Sequence, residues 1–97
     1  MDPKRLKGRL AYIFKGGLTK ALIALGWEQY EDPDEARVLR FKKKVGDVVE
    51  ILVFRKSEAF ANGEIKEAIM NTRGITYEDF EKEYIAAYKG EPPLMPM

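Results

Sequence analysis

The chain contains no cysteine and no histidine. The first absence excludes disulfides, thiolate metal sites and cysteine nucleophiles. The second removes the commonest general base, the commonest zinc ligand and the usual switch near neutral pH. Catalysis would have to rest on carboxylates, lysines, tyrosines or hydroxyls, and no transition metal or other cofactor is expected. No apolar run is long enough to cross a bilayer; the longest, Ala21 to Leu25, falls far short of the roughly 20 residues needed. The basic start (Lys4, Arg5, Lys7, Arg9) leads into an apolar stretch that stops at Lys15, too short for a signal peptide. The expected setting is therefore intracellular, in the cytoplasm, with no membrane partner.

What is present is a globular composition, 45% apolar and 34% charged over 97 residues. It fits one domain over residues 1–91 with a thin core, followed by a flexible tail at 92–97. Leu6, Leu10, Phe14, Trp27, Phe41, Phe54, Phe80 and Tyr84 are the candidate core. A net charge of +1 conceals blocks: 1–27 carry +5, 28–36 carry −5, 37–56 carry +5 and 57–97 carry −4. Such blocks become opposed surfaces or pair with each other inside the fold.

The clearest element is a hairpin. Arg37 to Val45 and Val48 to Lys56 flank Gly46-Asp47, which suits a two-residue type II′ turn. That turn sets Val45 opposite Val48, Lys43 opposite Glu50, Phe41 opposite Leu52 and Leu39 opposite Phe54. One face is then apolar apart from Lys43 and Glu50, which are expected to form a cross-strand ion pair. The other face carries Arg40, Lys42 and Lys44 on the first strand and Val49, Ile51, Val53 and Arg55 on the second. Because the second strand is apolar on both faces, it is expected to be central and covered.

Around the hairpin, residues 3–15 read as an amphipathic helix with the stripe Leu6, Leu10, Ile13 and Phe14. Gly16-Gly17 read as a kink, and Leu18 to Leu25 as a second helix closed by Gly26. Trp27 to Tyr30 is a short strand, and Glu31 to Glu35 an acidic turn. Ser57 to Ala61 has no clear assignment. Asn62 is positioned to cap a helix to about Thr72. Thr76 with Asp79 begins a last helix that Gly90 ends, with Tyr77, Phe80, Tyr84 and Tyr88 inward. The expected fold is α+β: an antiparallel three-stranded sheet, hairpin 37–56 plus strand 27–30, packed with N-terminal and C-terminal helices.

No motif carries catalysis. Gly16-Gly17 lacks the further glycines and the Lys-Ser/Thr pair of a phosphate loop. The order helix, three strands, helix is that of double-stranded-RNA-binding domains, without a lysine-rich start to the penultimate helix. Pro33-Asp34 and Glu50 resemble the metal-holding acids of restriction-type nucleases, but Leu52 stands where that motif needs lysine. A metal-dependent nuclease of degenerate motif is thus a remote reading. The better lead is the basic set Arg40, Lys42, Lys44 and Arg55 on the hairpin with Lys4, Arg5 and Lys15 near the start. Clustered bases suit a phosphate backbone, so the expectation is a non-enzymatic module contacting nucleic acid through the hairpin. The alternative is a protein-binding regulator or inhibitor of a nucleic-acid-handling complex. A homodimer fits either. A continuous basic face favours the first reading; interleaved charges with an exposed apolar patch favour the second.

Overall fold

The computed structural model describes residues 10–93. Its elements are β1 (Tyr12–Phe14), α1 (Lys15–Ala24), β2 (Glu28–Tyr30), β3 (Val38–Val45), β4 (Val48–Arg55), β5 (Ala59–Ala61), α2 (Asn62–Met70) and α3 (Tyr77–Ala87). The expected α+β fold is present: a three-stranded antiparallel sheet in the order β2-β3-β4, with a second, two-stranded sheet of β1 and β5.

The hairpin has the expected register throughout, from Val45 opposite Val48 to Leu39 opposite Phe54. Gly46 has φ +62° and Asp47 is not among the residues of positive φ, as a type II′ turn requires. Alternation then buries Leu39, Phe41, Leu52 and Phe54 together. Phe41 and Phe54 meet edge to face at 6.2 Å, and Phe54 meets Phe60 of β5 at 6.0 Å, which joins the two sheets through one aromatic row.

Helices α1 and α3 supply the other side of the core. Leu18, Ala21 and Leu22 from α1 and Phe80 and Tyr84 from α3 are fully buried. Helix α1 ends as expected at Gly26: its N–H bonds Ile23 O, the Trp27 N–H bonds Leu22 O, and Gly26 takes φ +92°. Thr76 caps α3 by accepting the Asp79 N–H. The far end of α3 differs by one residue from expectation, because Lys89 rather than Gly90 makes the first left-handed turn, with φ +55°.

Several expectations are corrected. Of the helix expected over 3–15, residues 3–9 with Leu6, Lys4 and Arg5 lie outside the described residues, and Tyr12–Phe14 is a strand paired with Ala59–Ala61. Gly16-Gly17 do not kink a helix; they lie in the first turn of α1. Gly17 is a contact point instead. A Cβ there would come within 2.5 Å of Tyr84 Cε2 and 2.8 Å of the Tyr88 hydroxyl, so glycine lets α1 approach α3. Asn62 does not cap α2; its side chain accepts a hydrogen bond from the Tyr77 hydroxyl at 2.7 Å. Lys43 and Glu50 are opposite but do not pair. Lys43 Nζ donates to the carbonyls of Leu25 (2.9 Å) and Gly74 (3.4 Å), a cation at the C-terminus of α1, while Glu50 accepts the Arg73 N–H. Of the tail expected over 92–97, residues 94–97 lie outside the described residues, and Pro92 is buried. Finally, β4 is an edge strand and not the central one.

Candidate interaction surface on the open sheet face

Among the described residues the helices pack on the inner face, and the outer face of the β2-β3-β4 sheet is left open. Its rows follow from the register: Lys44 beside Val49; Lys42 between Glu28 and Ile51; Arg40 between Tyr30 and Val53; Val38 beside Arg55. The apolar stripe on β4 is half exposed, with Val49 at 54%, Ile51 at 50% and Val53 at 46%. Strand β4 was expected to be covered on both faces, and the structure covers only one.

The basic residues of this face are mostly engaged within the chain. Arg40 bonds Glu35 through Nη2, leaves only 15% of its side chain exposed, and has a buried Nε with no partner among the described residues. Lys42 Nζ lies over the Tyr30 ring, 5.1 Å from its centre. Arg55 holds Glu64 of α2 through two bonds, Nε to Oε1 at 3.0 Å and Nη2 to Oε2 at 3.1 Å, and stacks over Phe60. Lys44 is exposed and has no ion pair among the described residues. Lys15 starts α1, outside the rows of the sheet, and pairs with Glu58 at 3.0 Å. Four of the expected site residues, Arg40, Lys42, Lys44 and Arg55, thus share one face; Lys15 does not join them. Glu28 and Tyr30 complete the face on the β2 side. Their parity with Lys42 and Arg40 follows once β2 is paired, but the charge pattern alone did not mark them.

A cleft of about 360 Å³ adjoins this face, between α1 and the turn that follows β2. Lys15, Gln29, Glu31, Glu35, Arg40 and Lys56 line it, and within it Arg40 pairs with Glu35. The nuclease-like acids are apart in the chain's architecture. Asp34 lies in the exposed turn before β3, where its N–H bonds Asp32 Oδ1, while Glu50 is near the hairpin tip on the inner face. Among the described residues no group of three or more Asp or Glu side chains is placed to hold a metal ion, and no helix is long and apolar enough to cross a membrane.

No protein family, curated protein or solved structure matches the chain.

Two tyrosines, Tyr84 fully and Tyr77 partly buried, hold the scaffold behind the face. The Tyr84 hydroxyl accepts the Phe14 N–H at 3.0 Å, linking α3 to the junction of β1 and α1. Burial pushes its pKa up from 10.0 to about 12, against the smaller opposite effect of that hydrogen bond. Tyr77 is also raised, by burial first, with the bond to Asn62 opposing and Glu81 adding.

Proposed function

We propose that the chain is a non-enzymatic binding module whose working surface is the open face of the β2-β3-β4 sheet, and that its partner is a protein. The observation that carries this reading is the half-exposed stripe Val49, Ile51 and Val53, beside which Arg40 and Arg55 are already held by Glu35 and Glu64. Covering the remaining exposed half of each side chain would contribute on the order of 1 kcal/mol apiece. The interleaved rim of Glu28, Lys42, Arg40 and Tyr30 gives such a contact orientation and selectivity.

A nucleic-acid contact draws less support. Its affinity comes from bases that neutralise phosphates and release counterions. Arg40, Arg55 and Lys15 would first have to leave Glu35, Glu64 and Glu58. The β-branched stripe offers phosphates nothing.

The test compares two variants that keep strand-forming residues. In the first, Val49, Ile51 and Val53 become Thr, which retains β-branching. In the second, Arg40, Lys42 and Lys44 become Gln. A partner captured from extract, identified and purified is titrated against the wild type and both variants. The threonine variant is expected to lose at least tenfold in affinity. Unchanged affinity in that variant overturns the reading. So does tight, salt-dependent binding to DNA or RNA that the glutamine variant abolishes.

A further inference from the structure

Strand β4 is open along its edge as well as on its face. In a two-residue hairpin the pair beside the turn exchanges hydrogen bonds, and the exchange recurs at every second pair. Val48, Glu50, Leu52 and Phe54 therefore bond β3, and the Lys56 N–H bonding Arg37 O continues the same parity. The N–H and C=O groups of Val49, Ile51, Val53 and Arg55 point the other way. None of them has a hydrogen-bond partner among the described residues. The edge also lacks the usual protections. It runs for eight residues without a proline, a lysine or a bulge. The opposite edge, β2, is three residues long and runs into the acidic turn.

We infer that a second copy of the chain pairs with this edge, β4 against β4, antiparallel about a two-fold axis at Ile51. About that residue the outward positions are complementary: valine mirrors valine at 49 and 53, and acid mirrors base at 47 and 55. Ile51 meets the second copy's Ile51, and Val49 meets its Val53. Asp47 meets its Arg55, on both sides of the axis. Sliding the register by two residues keeps the outward groups paired but sets Asp47 opposite Val53, or Val49 opposite Arg55, and loses both Asp47–Arg55 pairs. Arg55 uses Nε and Nη2 on Glu64, so its Nη1 donors remain for the incoming carboxylate. The arrangement closes as a dimer, because each copy offers this edge once and β2 is too short to extend the sheet. It joins two three-stranded sheets into one continuous sheet and sets the two apolar stripes side by side. The pairing uses the edge of β4, not its face, and stands independently of the protein-partner reading.

The experiment is sedimentation equilibrium of the full chain from micromolar to millimolar concentration, with circular dichroism to confirm folding. The wild type is expected to show a reversible monomer–dimer equilibrium. Asp47→Arg and Arg55→Asp, each alone, should be monomeric, because like charges then meet at both ends. An equimolar mixture of the two should associate again as a heterodimer, since every end then pairs Arg with Asp. Ile51→Pro removes only an outward N–H, leaves the Arg55–Glu64 pair in place, and should also be a folded monomer. A wild type that stays monomeric at millimolar concentration overturns the inference. So does a dimer that survives Ile51→Pro or Asp47→Arg, or a mixture that fails to associate.

Discussion

Adjacent glycines at the start of α1 should respond to alanine in opposite directions. Both lie in the first helical turn, so Gly→Ala contributes the same backbone term at each, a gain of about 0.5–1 kcal/mol. At Gly16 the nearest atom to a new Cβ is the Tyr88 hydroxyl at 4.0 Å, an ordinary contact, and the gain should appear in full. At Gly17 the Cβ would press on both Tyr84 and Tyr88, with Tyr84 Cε2 at 2.5 Å. Tyr84 has no room to retreat: it is fully buried, stacks on Phe80 at 5.9 Å, and its hydroxyl holds the Phe14 N–H. Overpacking of this kind costs about 1–3 kcal/mol. The helix term cancels between the two variants, so their difference isolates the clash at about that size, with Gly17→Ala the less stable. Urea unfolding with unchanged m-values measures it. If Gly17→Ala equals or exceeds Gly16→Ala in stability, the close approach of α1 to α3 is wrong.

Phe41→Ala should destabilise by about 3–5 kcal/mol in the same assay, because Phe41 is fully buried at the centre of the sheet; a loss below 1 kcal/mol would contradict its place in the core. Tyr84→Phe leaves the Phe14 N–H without its acceptor and should cost about 1–3 kcal/mol. The same tyrosine sets an alkaline limit. Its pKa is about 12 folded against 10.0 unfolded, so its contribution is complete below pH 10 and is lost as pH rises through 12. The loss attributable to Tyr84 is roughly 2–3 kcal/mol, and a pH series of unfolding curves should show Tyr84→Phe losing correspondingly less over that interval.

The hairpin was legible because two independent signals agree there: the Gly46-Asp47 turn sets a register, and side-chain alternation demands the same one. The last helix was legible from Thr76 and Asp79 at its start and from the stripe through Phe80 and Tyr84. Strands β1 and β5 were not. Three residues are too few to show alternation, and Ile13 and Phe14 also fit a helical stripe with Leu6 and Leu10, so only their pairing across the fold decides. Gly17 carried no mark of its contact with α3, since a glycine's partners lie elsewhere in the chain. The basic face was legible as a set of residues but not as a charge. The acids that engage Arg40 and Arg55 come from the turn before β3 and from α2, and their reach depends on the finished fold. The apolar pattern on both sides of β4 pointed to a covered strand, but among the described residues nothing packs on its outer face, where Val49, Ile51 and Val53 stay half exposed.

Site-specific photo-crosslinking in cells decides whether the open sheet face binds a protein, with the probe placed in turn at Val49, Val53, Ile23 and Met70. All four side chains are well exposed, so accessibility does not distinguish them. If the open sheet face is the binding surface, the probes at Val49 and Val53 should give a discrete adduct with a protein other than the chain itself, and those at Ile23 on α1 and Met70 on α2 should not. Equal adducts from all four positions, or sheet-face adducts to nucleic acid alone, would contradict it.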